Sequence, residues 1–322
     1  MDWLELKAAL LEGGTARLTG VPADRYISHS AAGPGAGGPG SVFFALGDRR
    51  VRLAIGSGGP VEIMHAGGGV AVLSAEGIRV TGRLEPADLH CPRQAYITVS
   101  GSCIFRCRYC PVPGIRGGRK TPGEIMHMIE QNRNEIDAIS ITSGVAESIE
   151  EEETCVAALV ERLSVFGIPI GVSIYPTSRS PELFHSLGVA EVKWNIEVAT
   201  QEIFHQMCPG LDYGLIRTAL ARSVPLYGRG HVFSNVIVGL GETDAEMEDC
   251  IRNLAEIGVI PVLRPLNPVA DLTGKSRPAK ERLIRLFRVH ASVLSNAGLD
   301  PCRARTMCSA CTGCDLVPGR DA

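Results

Sequence analysis

Ala95-Tyr-Ile-Thr-Val-Ser100-Gly-Ser-Cys103-Ile-Phe-Arg-Cys107-Arg-Tyr-Cys110 joins an apolar, β-prone run to three closely spaced cysteines. Three thiolates this near in sequence can converge on one soft inorganic centre, and thiolate is the usual ligand of iron–sulfur clusters. A [4Fe–4S] cube takes four ligands, so three leave one iron open. An open iron invites chemistry rather than plain electron storage. The bland alternatives are a zinc knuckle or a group of buried cysteines.

Outward from this stretch the chain alternates strand and helix signals, the mark of parallel βαβ units. Strands are expected at 95–100, 137–142, 169–174, 190–196, 231–238 and 259–264. Helices are expected near 122–133, 151–165, 181–187, 212–224, 244–257 and 278–297. Six such units predict an α/β fold, a partial, TIM-like (β/α)6 barrel over residues 91–297. Chemistry in such barrels gathers at the C-terminal ends of the strands, where the three cysteines fall.

Residues 1–90 read as an N-terminal helix (1–14, ended by Gly13-Gly14) and a small β-rich element. Its apolar runs are 42–46, 51–55, 70–73 and 78–80, and the Gly/Pro-rich stretch 31–40 is turn or linker. Residues 298–322 hold Cys302, Cys308, Cys311 and Cys314 and little that could form a core. Four cysteines at this spacing suit a metal site, and both a zinc tetrahedron and a second [4Fe–4S] cluster accept four thiolates. We favour the cluster. Cys155 and Cys250 read as core cysteines, and Cys91 stands close to the first motif.

The 322 residues carry a net charge of −3, with few aromatics. No basic field is available for nucleic acid or an anionic membrane surface. No apolar run reaches the length needed to cross a bilayer, and the acidic N-terminus does not resemble a secretory signal. The expected location is therefore the cytoplasm, and there eleven cysteines point to metal or redox work rather than disulfides.

The Cys-x3-Cys-x2-Cys run after a first strand resembles the radical S-adenosylmethionine (SAM) family. That resemblance implies that Cys103, Cys107 and Cys110 hold a [4Fe–4S] cluster whose open iron chelates SAM. Reductive cleavage would then give a deoxyadenosyl radical that abstracts hydrogen from an unactivated carbon. Further along, Ile141-Thr142-Ser143, Asn195-Ile-Glu197 and Gly239-Leu-Gly-Glu-Thr243 are similar to segments of lipoyl synthases and, more loosely, biotin synthase. By the same resemblance Tyr109, Gly123, Glu124, Thr142, Ser143, Asn195, Glu197, Val238 and Gly239 would contact SAM. Gly123 and Glu124 lie in Thr121-Pro-Gly-Glu124, which equally reads as the start of a helix.

The four C-terminal cysteines look more like the two-component lipoyl synthases. They imply sulfur insertion into an octanoyl chain carried by a lipoyl-carrier protein (H protein or E2 domain). A ferredoxin or flavodoxin would donate electrons, and a second radical SAM subunit is a further possible partner. Arg229, His231 and Arg264 are candidates for orienting SAM or substrate. The alternatives are a biotin-synthase-like mutase or methyltransferase whose second cluster only transfers electrons, or a zinc-stabilised binding protein.

Overall fold

The computed structural model describes residues 2–30, 33–36, 38–86, 90–115 and 117–322. Ala31, Ala32 and Gly37 of the expected linker therefore lie outside the described residues.

The chain opens with helix α1 (Trp3–Gly13), capped by the Asp2 side chain on the Leu4 amide and closed by Gly14 at φ 63°. Strands β1 (Thr15–Gly20), β2 (Ile27–Ser28), β3 (Ser41–Leu46), β4 (Arg49–Ile55), β5 (Val61–Gly67), β6 (Val70–Ala75) and β7 (Ile78–Glu85) follow. They form one sheet in the order β2-β3-β4-β1-β5-β6-β7. β7 pairs back onto β3, so six strands close into a ring and β2 shares the β3 edge. The β-rich element is thus a small barrel, which leaves no long free edge. β1 and β5 gave no sequence signal strong enough to expect them.

The second sheet starts with a short hairpin, β8 (His90–Cys91) and β9 (Gln94–Thr98). It continues through α2 (Pro122–Gln131), β10 (Ala138–Thr142), α3 (Ile149–Leu163), β11 (Ile170–Ser173), α4 (Ser180–Ser186) and β12 (Glu191–Lys193). Next come α5 (Gln201–Met207), α6 (Tyr213–Tyr227), β13 (Val232–Val238), α7 (Asp244–Glu256), β14 (Ile260–Pro265), α8 (Lys280–Asn296) and the single-turn α9 (Met307–Cys311). The order is β14-β13-β12-β11-β10-β9-β8, with β9 to β14 all parallel and in chain order. Sequential parallel strands with helical crossovers curl the sheet into an open, barrel-like wall. Helix α5 was not expected; its seven residues, capped by Thr200, are too short to show a period.

The C-terminal residues run into this wall at the beginnings of its strands. Glu191, at the first position of β12 and fully buried, accepts hydrogen bonds from Arg305 N (3.0 Å), Thr306 N (2.8 Å) and Thr306 Oγ1 (2.6 Å). Met307 N donates to Ser140 Oγ (3.0 Å) and to Gln94 Oε1, while Gln94 Nε2 donates to Met307 O. A Cβ on Gly171 would lie 2.3 Å from Thr306 Oγ1, so β11 needs glycine where the tail crosses it.

The first barrel holds the other side of the tail. Arg52 N donates to Gly313 O (2.6 Å), and Lys7 Nζ donates to Thr312 O (2.6 Å) and to Asp321 (2.8 Å). Asp321 also accepts from Trp3 Nε1 (2.8 Å) and Val317 N (2.7 Å). Among the described residues, no helix is long and apolar enough to cross a membrane.

Lys7 is wholly buried, and Asp321 is its ion partner. Removing one member of such a pair leaves an uncompensated buried charge, at a cost of about 3–5 kcal/mol. Asp321→Ala should therefore lower the stability measured by chemical denaturation by about 3 kcal/mol or more, although only the second-last residue is changed. A loss below about 1 kcal/mol, the range of an exposed pair, would refute this role.

Candidate functional site

Strand β12 and the residues beyond it alternate strictly: Glu191, Lys193, Asn195 and Glu197 against Val192, Trp194 and Ile196. Successive side chains of an extended chain point to opposite faces. The apolar set is fully buried, while Lys193, Asn195 and Glu197 line a cavity of about 370 Å³ inside the wall. Glu191 lies at the foot of this ladder and holds the tail.

Cys103, Cys107 and Cys110 all line the same cavity from the irregular loop after β9. Backbone bonds hold that loop: Ile104 N to Val145 O (2.8 Å), Arg108 N to Met207 O (2.9 Å) and a turn from Cys110 N to Cys107 O (3.0 Å). A hydrogen bond with the buried Cys208 and partial burial push the Cys107 thiol well up, and burial pushes Cys110 up to about 12. Ligation of a cationic centre favours the thiolate and releases its proton. Tyr109, whose hydroxyl lies 3.5 Å from Cys208 Sγ, closes the loop against the core.

At the exits of the strands, Thr142, Ser143, Asn195 and Glu197 also face the cavity. Ser143 Oγ accepts from Ser100 N (2.8 Å) and donates to the buried Glu152, which ties the first two strand exits together. Burial raises Glu197 to about 7. Its backbone is left-handed (φ 61°), a conformation that costs about 1 kcal/mol outside glycine. Two bonds to β13 hold it, Glu197 N to Asn235 O and Ile237 N to Glu197 O, each 2.9 Å.

Other expected contacts lie elsewhere. Gly123 and Glu124 are exposed in the first turn of α2, outside the cavity lining. There Glu124 accepts from Thr121 N (2.6 Å) and completes a capping box, the helix-start reading of that segment. Val238 is buried on the β13 face opposite Asn235 and Ile237, and those two line the cavity instead. Gly239 (φ 112°) makes the turn after β13, pinned by Glu242 Oε1 on its amide (2.7 Å). Arg229 is exposed and bonded to carbonyls of Ala255 and Ala297, and His231 meets Glu191 at 3.3 Å. Both precede β13 and so sit at the wrong end of the strand for the exit loops. Arg264 does line the cavity.

Cys308, Cys311 and Cys314 line the same cavity as the first three cysteines. Cys302 does not; its Sγ lies 3.7 Å from Pro318 O, and Arg320 holds its carbonyl (2.9 Å). Sequence reasoning missed Tyr96, Arg52, His90 and Lys193, which line the cavity beside the tail cysteines. Lys193 Nζ is 3.2 Å from Cys308 Sγ and 3.3 Å from Tyr96 Oη. The polar period of two on β12 was the signal that could have found Lys193. Among the described residues, no three His, Cys, Asp or Glu side chains are gathered as a single bound ion would require.

Residues 97–254 match the model of the Radical SAM superfamily. The chain is similar in structure to the FeFe-hydrogenase maturase HydG from Carboxydothermus hydrogenoformans, at 17% identity and TM-score 0.52, over 62% of this chain and 52% of that one. Streptococcus suis SuiB bound to S-adenosylmethionine is similar at 10% identity and TM-score 0.52, over 64% and 48% of the two chains. The chain thus spans about half the length of these proteins, and at such identities the likeness is one of fold. No curated protein matches the chain in sequence. With the family match and the cysteine loop together, residues 97–254 form a radical SAM domain, of a family that uses a [4Fe–4S] cluster and SAM.

Glu191 holds the tail through bonds to a buried carboxylate, each worth about 1.5–3 kcal/mol. Glu191→Ala should speed amide hydrogen exchange at residues 305–308 at least tenfold while leaving α7 and α8 protected. Unchanged exchange there would show that the tail is held by other contacts.

Proposed function

We propose that this enzyme inserts sulfur into an unactivated C–H bond of an octanoyl chain carried on a protein lysine, as in lipoate biosynthesis. The observation that carries the reading is that two groups of three cysteines, from the β9 loop and from the tail, line one cavity. The residues present fit the family's cofactors. Three thiols stand free in the β9 loop with no disulfide partner, and hydroxyl, amide and carboxylate groups face the same space at the strand exits.

When bound, the first cluster and SAM supply a carbon radical able to take hydrogen from an alkyl chain, and a second cluster on the tail cysteines supplies sulfide. The rest falls to the chain. Cys103, Cys107 and Cys110 would hold the first cluster, and Thr142, Ser143, Asn195 and Glu197 would meet the polar groups of SAM. Phe105, Val145, Ile174, Leu211 and Ile237 give the cavity an apolar side on which an aliphatic chain buries about 0.8 kcal/mol per methylene. These side chains also keep water and reducing groups from the reacting carbon. The acyl donor would be an octanoylated lipoyl-carrier protein, an H protein or E2 domain, and the reductant a ferredoxin or flavodoxin.

Anaerobically reconstituted protein, given SAM, reductant and an octanoylated lysyl peptide, should form deoxyadenosine and a thiolated peptide, both read by mass spectrometry. Cys107→Ala should reduce both to background. Cys308→Ala should abolish the thiolated peptide, and normal thiolation by that variant would remove the tail's donor role. Deoxyadenosine with a rearranged or methylated peptide would replace this reading by a mutase or methyltransferase whose second cluster carries electrons.

A further inference from the structure

The four-cysteine pattern of the tail is not matched by the fold. Cys302 sits in the short turn Pro301–Arg303, against Pro318 and Gly319, where a Cβ on Gly319 would come within 2.7 Å of its sulfur. Between it and Cys308 the backbone of Arg305, Thr306 and Met307 is pinned by Glu191, Gln94 and Ser140. The backbone that separates Cys302 from Cys308 is thus fixed with the Cys302 side chain turned toward Pro318.

Another cysteine already stands at the tail. Cys91 ends the two-residue strand β8, is 3% exposed, and packs with Cys311 and Phe43 in a small buried cluster of their own. The β8–β9 hairpin aims it there, through left-handed residues His90 (φ 83°) and Arg93 (φ 59°) on either side. Cys91 comes from the edge of the parallel sheet, whereas Cys311 comes from the far end of the chain, 220 positions on.

The surroundings are those of an anion. Arg52 and Lys193 are buried, and they line the cavity together with Arg264 beside Cys308, Cys311 and Cys314. Lys193 points at Cys308 Sγ, and Arg52 is positioned by Ser41 (2.8 Å) and the Gly313 carbonyl on its own amide. The acids facing this group are Asp315, 3.7 Å from Arg264, and Glu197, which lines the same cavity. Buried cations need negative charge beside them. A [4Fe–4S] cube with four thiolates is a net anion, and its potential is set by such neighbours.

We propose that Cys91, not Cys302, is the fourth thiolate of the second iron–sulfur site, completing Cys308, Cys311 and Cys314, with Arg52, Lys193 and Arg264 as its counter-charges. This assignment rests on the two-cluster reading above and names its ligands. Cys302 is then a structural thiol of the tail turn. The hairpin before the barrel and the tail after it are then joined through the cluster.

The test uses the full chain with Cys103, Cys107 and Cys110 all changed to Ala, which empties the first site. After anaerobic reconstitution this protein should hold about four irons and a [4Fe–4S] Mössbauer signature. Adding Cys91→Ala should remove that signature and most of the iron, whereas adding Cys302→Ala should leave both unchanged. Cys91→Ser, which keeps volume and polarity, guards against misfolding; it should keep the far-ultraviolet circular dichroism of the parent while altering the spectrum of one iron. A cube that persists unaltered in both Cys91 variants, or that is lost in Cys302→Ala, overturns the assignment. A parent protein that binds no iron, or binds zinc instead, overturns the two-cluster reading itself.

Discussion

A buried carboxylate at the foot of the barrel governs this molecule. Glu191 has no solvent exposure, and besides His231 at 3.3 Å its hydrogen bonds come from the tail, from Arg305 N, Thr306 N and Thr306 Oγ1. An unpaired carboxylate there would be prohibitive, so strand and tail must fold together. The tail in turn carries three cysteines into the same space as the β9 loop. This contact, with those of Gln94 and Ser140 to Met307, brings the two sets of sulfurs to one cavity.

The remaining contacts follow from that docking. A tail running into the foot of a barrel needs a partner on its outer side, and the N-terminal barrel with α1 provides it. Lys7 and Trp3 hold Asp321, and β4 hydrogen-bonds Gly313. A role for the first ninety residues, which have no readable motif, thus emerges. They form the back wall against which the tail is pressed, and Arg52 on β4 brings a buried cation into the cavity.

The cavity itself is divided by chemistry. The cysteine loop shares it with strand-exit hydroxyls, an amide and Glu197, whereas the tail cysteines are accompanied by Lys193, Arg52 and Arg264. Charge of opposite sign thus lines one cavity at close quarters. Such a site is arranged to hold charged groups in fixed places. That is the demand made by chemistry in which a reactive intermediate must meet one carbon and nothing else.

Local pattern determined the six parallel strands, most of their helices and the three loop cysteines, because periodicity and close ligand spacing are properties of neighbouring residues. Thr142, Ser143, Asn195 and Glu197 were legible for the same reason, since each stands at the exit of a recognisable strand. Val238, Gly239 and Glu124 are not among the cavity-lining residues, since one step along a strand reverses the face and a capping box looks like any polar turn. Cys91 and Cys302 show the limit most clearly. In sequence Cys302 belongs with the tail cysteines and Cys91 stands apart, whereas the fold packs Cys91 against Cys311 and turns Cys302 toward Pro318. Only tertiary structure could decide that, because it depends on the hairpin's twist and on where Glu191 stops the incoming tail.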